Sequence, residues 1–187
     1  MGKAILMSIN PRWCELIASG EKTIEVRKTF PQNLRPPFKV HIYMTEGNAS
    51  YPVVINGAPY TCSNNGGKEV IGEFVCKNIY EFTSISADDW WDIAYEELER
   101  ACMTEAEFRQ YAWPRTTMYG WEISDLVIYE RAKSLREFYR ICPEADRSWW
   151  NNDKCLECQS PCGEDRRKYL SRPPQSWCYV EEVEHHD

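Results

Sequence analysis

Short apolar runs separated by polar turns make up most of this chain, and the first run predicts a strand. Lys3 to Ile9 is largely apolar and stops at a turn signal, as buried strands do. Asn10-Pro11 predicts a helix start, because asparagine can accept from an unpaired backbone N–H and proline needs no N–H at the first helical position. Trp13 and Ile17 then share one face of a helix that Gly20 ends.

The next run has the alternation of a strand with one buried face. Ile24 and Val26 are apolar, whereas Glu25 and Arg27 are charged, so the two charges lie side by side on the opposite face. Lys22 has the parity of the apolar residues. It can reach the charged face only if the strand begins after it.

Later segments predict further strands and two helices. The strand-like segments are 38–43, 69–82 with a bulge or close contact at Gly72, 118–130 with a bulge near Ser124-Asp125, 134–139 and 176–183. Ser86-x-x-Asp89 and Thr104-x-x-Glu107 resemble capping boxes and predict helices over 87–101 and 105–112. This order lacks the regular alternation of a parallel α/β sheet. It predicts an α+β fold, a small and mostly antiparallel β-barrel or strongly bent sheet with inserted short helices.

Composition and net charge limit the classes of binding partner that the protein can have. The chain has 187 residues, 43% of them hydrophobic, which suits one domain with an appendage. The formal net charge of -7 argues against coating of double-stranded DNA, although a pocket for one base remains compatible with it. There is no apolar run of membrane-spanning length, so we expect no membrane partner and a cytoplasmic protein. The oligomeric state stays open.

Four cysteines in a polar segment predict a metal site. Cys142, Cys155, Cys158 and Cys162 follow the pattern C-x12-C-x2-C-x3-C, and four thiolates suit a closed structural zinc site. An iron–sulfur cluster is the alternative. Cys178 can replace Cys142 as the fourth ligand, although its strand-like surroundings favour a packed thiol.

We therefore expect one domain over 1–187 with two insertions. The first is a long loop or loose hairpin at 47–68, rich in Gly, Asn, Ser and Pro, and the second is the cysteine-rich segment at 140–172. Residues 173–184 then complete the barrel.

Three stretches resemble the ASCH domain, a PUA-like β-barrel family, in the type found in phages and prophages. They are Gly20-x-Lys22-x-x-Glu25-x-Arg27 after the first helix, Tyr119 to Leu126, and Arg172 to Glu181. The resemblance implies a cleft lined by Lys22, Glu25 and Arg27 that binds RNA, single-stranded nucleic acid or a modified nucleobase or nucleotide.

The resemblance leaves two alternatives open. A similar branch hydrolyses N4-acetylcytidine with a lysine and a threonine nucleophile, and this chain has Glu25 at the threonine's position, which favours recognition over that hydrolysis. Thr23 and Glu97 are further candidates for the cleft, with Glu97 one of several carboxylates that could stand for a family carboxylate on a helix. The second alternative is a phage–host protein interaction module.

Basic residues gather in three groups along the chain. They are Arg27, Lys28, Arg35 and Lys39, then Arg131, Lys133 and Arg136, and then 166–168. If they share one face, an acidic protein can still present a local track for a strand of RNA or DNA.

The metal site can be tested by elemental analysis of protein purified without an affinity metal. Because the polar segment buries too little apolar surface to fold alone, we expect at least one zinc per chain, or iron if the cluster alternative holds. Less than one bound zinc or iron per chain would contradict the prediction.

Overall fold

The structure is a computed structural model, and it describes residues 2–46, 53–55, 58–60, 68–141 and 168–182. The strands are β1 (Lys3–Ile9), β2 (Ile24–Arg27), β3 (Phe38–Met44), β4 (Val53–Ile55), β5 (Ala58–Tyr60), β6 (Glu69–Thr83), β7 (Thr117–Ser134), β8 (Tyr139–Arg140), β9 (Lys168–Tyr169) and β10 (Trp177–Glu181). The α-helices are α1 (Pro11–Ala18), α2 (Tyr95–Arg100) and α3 (Glu105–Ala112). None of the helices in these ranges is long and apolar enough to cross a membrane.

Eight strands form one mixed sheet in the order β2-β7-β6-β3-β1-β10-β8-β9, and β4 pairs with β5 separately. Only β1 and β3 run parallel among the paired strands of the described residues. The predicted α+β class and mostly antiparallel sheet are confirmed. Within those residues no pairing joins β2 to β9, the two ends of that strand order.

Both predicted bulges are present where β6 and β7 pair. The register shifts between Val70 and Gly72, where a Cβ atom on the glycine would lie 2.5 Å from the carbonyl oxygen of Val127. A second shift lies opposite Ser124, and the next residue, Asp125, has a φ of 48°. These irregularities let two long strands bend around the core.

Apolar side chains cover both faces of β1. Ile5, Met7 and Ile9 belong to the largest cluster, whereas Ala4 and Leu6 belong to a second one. A third cluster joins the β2 end of the sheet to the helices, and its residues are Ile24, Val26, Phe82, Trp91, Leu98, Ala101, Phe108, Ala112 and Met118. This third cluster holds α2 and α3 against β2.

One predicted helix is confirmed and the other is wrong over most of its length. The helix over 105–112 forms, with the Thr104 side chain accepting from the backbone N–H of Glu107. The helix predicted over 87–101 is limited to Tyr95–Arg100, because Trp91 forms an antiparallel bridge with Ser84 and its ring is buried. Burial of that ring outweighs the capping pattern ahead of it.

The segment predicted as a strand over 134–139 is instead a 3-10 turn, Leu135–Glu137, followed by β8. Its capping box explains the difference, since Ser134 accepts from the N–H of Arg136 and Glu137 accepts from the N–H of Ser134. The strand predicted over 134–139 is therefore wrong except at its two end residues, where Ser134 ends β7 and Tyr139 begins β8.

Candidate functional site

A reversal after α1 brings Lys22 to the charged face of β2. Gly20 adopts a φ of 81°, which ends the helix, and the N–H of Lys22 then donates to the carbonyl of Leu16 at 2.9 Å. The strand begins at Ile24, so Lys22 lies before it and is free of its alternation. Because the strand begins after Lys22, the Lys22 side chain can reach Glu25.

Lys22, Glu25 and Arg27 form a buried charged cluster, which we call the triad. The Lys22 Nζ lies 3.4 Å from Glu25 Oε2, and Arg27 Nη2 lies 3.0 Å from Glu25 Oε1. The three residues are only 2%, 5% and 7% exposed, so all three charges are largely removed from water. The strand was predicted to bury one face, and both faces are buried.

Backbone carbonyls complete the cation contacts. Lys22 Nζ donates to the carbonyl of Ala101, just after α2, and also lies 4.7 Å from the centre of the Trp13 ring. Arg27 Nη2 donates to the carbonyl of Ser8 in β1 at 2.7 Å. Each cation is therefore held by a part of the chain far from β2.

Two buried atoms of the triad lack a hydrogen-bond partner among the described residues. They are Glu25 Oε2, which has only the ion-pair contact to Lys22, and Arg27 Nε. Buried polar atoms in native proteins are usually satisfied, by water or a ligand if not by protein. The triad is thus held in place and not fully satisfied.

The triad lines a cavity of about 560 Å³, which we call the Lys22 pocket. That volume is within the usual range for small-molecule sites. Its other lining residues are Ser8, Asn10, Trp13, Val26, Met103, Glu107, Gln110, Tyr111 and Gln175. They come from the end of β1, α1, β2, the segment between α2 and α3, α3 itself, and the segment before β10.

Burial shapes the protonation of the pocket. The pKa of Lys22 is lowered from its ordinary value by desolvation, and the negative charge of Glu25 partly offsets this. Burial also raises the pKa of the Tyr111 hydroxyl, against the opposing charge of Arg27. Tyr111 therefore stays a neutral phenol, and Lys22 gives up its proton more readily than a surface lysine.

Thr23 and Glu97 do not line the Lys22 pocket. The Thr23 hydroxyl accepts from Arg100 Nε at 3.3 Å. Glu97 accepts from the N–H of Ala94 at 2.7 Å and so caps the start of α2. Both residues hold α2 in place near the site, and neither joins the triad.

Sequence reasoning missed several residues of the pocket. Trp13 was assigned only to a helix stripe, and Gln110 and Tyr111 follow a helical pattern that carries no sign of a site. Gln175 could have been predicted, because it belongs to the third stretch that resembles the ASCH domain. The packing of α3 beside β2 could not be read from local patterns.

The predicted metal ligands Cys142, Cys155, Cys158 and Cys162 lie outside the described residues, and the metal site stays a prediction. In the described ranges no group of three potential ligands comes together. Cys178 is buried in β10, and burial raises the pKa of its thiol to about 11.

The fold and the pocket together define a class, a small α+β protein with a charged pocket beside an edge strand. Its solved structural neighbours include the ASCH protein of Zymomonas mobilis, with a TM-score of 0.57 and 17% identity over 96% of this chain and 88% of that chain. A serine-to-alanine variant of that protein matches with a TM-score of 0.52 and 17% identity over 96% and 89%. The chain therefore has the ASCH fold, as the sequence predicted.

No protein-family model matches the sequence, and no curated protein is significantly similar to it. The structural neighbours thus support the fold alone. A phage origin is not tested by them.

We predict that a Glu→Gln substitution destabilises the protein more in the triad than in an exposed ion pair. Glu25→Gln should lower the free energy of unfolding by about 3–5 kcal/mol, because it leaves two buried cations without their carboxylate. Glu122→Gln is the control, since Glu122 pairs with Arg100 at 3.1 Å with both side chains about 30% exposed, and should cost about 1 kcal/mol or less. Urea denaturation measures both. Equal losses in the two variants would contradict the structural role of the triad.

Proposed function

We propose that the Lys22 pocket binds one nucleobase or nucleoside, free or as part of single-stranded RNA or DNA. The observation that carries this proposal is the buried triad, which presents a carboxylate between two cations at a pocket of about 560 Å³. A base edge carries donors and acceptors side by side. A surface that alternates the two charges complements such an edge.

The charges of the pocket favour a neutral ligand over a phosphate. Glu25 already neutralises one of the two cations of the triad, and Glu107 at the rim pairs with Arg12 at 3.1 Å. Lys22 and Arg27 also donate to backbone carbonyls. A phosphate would have to compete with these contacts, whereas a neutral heterocycle can add to them.

The remaining walls suit a flat, polar-edged molecule. Trp13 and Tyr111 contribute aromatic rings to the wall, and Met103 adds an apolar surface. The amides of Gln110 and Gln175 each carry both donors and an acceptor. Aromatic faces bind any base, and the amides with the triad can supply the selection among bases.

The fold is consistent with this function. The ASCH resemblance implies a PUA-like domain, and such domains are associated with RNA, nucleotides or modified bases. Because the structural neighbours share only 17% identity, this support is general and names no particular ligand.

Hydrolysis of a modified nucleoside, such as an N4-acylated cytidine, is the second candidate. The lowered pKa of Lys22 beside Glu25 favours it, because a lysine that can lose its proton can act as a general base. Glu25 stands where the similar hydrolases have threonine, and Thr23 bonds to Arg100 instead. The attacking group would then be a water molecule activated by Lys22 or Glu25.

Calorimetric titration with a panel of cytidine, uridine, adenosine, guanosine and N4-acetylcytidine tests the proposal. We expect at least one nucleoside to bind, and Lys22→Ala and Arg27→Ala to weaken it at least about tenfold, because each removes a charged hydrogen-bond donor. Lys77→Ala is the control, since Lys77 pairs with Asp125 on an exposed surface and should leave the Kd unchanged.

Two outcomes decide between the candidates. Chromatography of the same mixtures should show the nucleosides intact, and release of cytidine from N4-acetylcytidine would establish the hydrolase instead. If both triad variants remain folded and bind as tightly as the original protein, the pocket is not the binding site.

A further inference from the structure

A second surface gathers arginines that are distant in the sequence. β8 and β9 pair antiparallel, with Tyr139 opposite Tyr169, although the two strands are separated by residues 141–167. We call this surface the β9 edge and define it by Arg136, Tyr169 and Arg172. It lies at the end of the main sheet opposite β2 in strand order.

The β9 edge is positive in a protein whose formal net charge is -7. Arg136 and Arg172 are both exposed, and no described carboxylate lies within ion-pair distance of their guanidinium groups. The adjacent acid, Glu137, accepts from the N–H of Ser134 at 2.6 Å as part of a cap. Lys68 and Lys77 are exposed cations that do pair with carboxylates.

Tyr169 gives this positive surface an aromatic platform. Its side chain is 58% exposed, and its ring packs against Tyr139 with the centroids 4.2 Å apart and the planes at 37°. One face of the ring is thereby supported while the residue stays accessible. A depression of about 320 Å³ lies beside it, lined by Arg136, Tyr169, Leu170 and Ser171.

A short segment of chain leads from the β9 edge to the Lys22 pocket. Gln175, which lines the pocket, is six residues after Tyr169 and three after Arg172. The Cα atom of Gln175 therefore lies at most about 20 Å from that of Tyr169 and at most about 11 Å from that of Arg172. Ser8 fixes this segment, since its hydroxyl donates to the carbonyl of Pro174 at 2.7 Å. The carbonyl of the same Ser8 accepts from Arg27 of the triad.

We propose that the β9 edge is the backbone-binding subsite for a single-stranded nucleic acid that places one base in the Lys22 pocket. The arginines contact phosphates, and Tyr169 stacks on a base a few nucleotides away. This inference rests on the proposed function of the pocket. It makes the ligand of the protein a strand and not a free nucleoside.

The observations favour a nucleic acid over an acidic peptide. Arginine contacts would serve either polymer, but a supported and exposed tyrosine ring among them adds stacking that only the bases can use. The pocket at the end of the path likewise fits a flat ring. Binding of an acidic peptide is therefore measured alongside binding of the strands.

Binding of fluorescent single strands one to nine nucleotides long measures the subsite, with the base that the pocket prefers at one end. We expect affinity to rise with length and the combined variant Arg136→Ala, Arg172→Ala to lose that rise. Its plot of log K against log salt should be shallower by about 1.4, since each of the two phosphate contacts on a single strand contributes about 0.7. Arg115→Ala is the control, because Arg115 is also exposed and lies after α3.

Tyr169→Ala should weaken binding of the long strands about fivefold or more, whereas Tyr169→Phe keeps the ring and should bind nearly as the original. All these variants should leave the affinity for a single nucleoside unchanged, which separates this inference from the function of the pocket. Long strands that bind the combined variant as tightly as the original protein would overturn the subsite. Tighter binding of polyglutamate than of any strand would overturn it as well, and so would a single nucleoside binding as tightly as nine nucleotides.

Discussion

The burial of the Glu25 carboxylate between Lys22 and Arg27 is the contact on which the rest of the site depends. Removing three charges from water is costly, and their mutual attraction offsets that cost only when the geometry is held tightly. The protein achieves this with the carbonyls of Ser8 and Ala101, which belong to different parts of the chain. The triad is therefore both a junction of the fold and a polar surface for a ligand.

Several local features hold the triad in place. The positive φ of Gly20 turns the chain so that Lys22 precedes β2, and the carbonyl of Arg100 accepts from the N–H of Thr23 at 2.8 Å. Thr23 and Glu97, which the sequence suggested for the cleft, hold α2 where the carbonyl of Ala101 meets Lys22. Residues of this kind support the site without contacting what the pocket would bind.

The sequence predicted the strands and bulges well because these follow from local patterns. The strand Lys3–Ile9, the end of α1 at Gly20 and the bulge at Gly72 each depend on a few neighbouring residues. The helix over 87–101 failed because the burial of Trp91, a tertiary contact, outweighs a capping pattern. The walls of the pocket that α3 contributes, such as Tyr111, likewise depend on packing that no local pattern reveals.

A structure of the protein crystallised with a saturating nucleoside tests the central claim most directly. The account predicts the base in the Lys22 pocket, with its polar edge within hydrogen-bond distance of Lys22, Glu25 or Arg27 and its face against Trp13 or Tyr111. A base bound elsewhere, with the triad contacts unchanged and the pocket filled only by water, would contradict it.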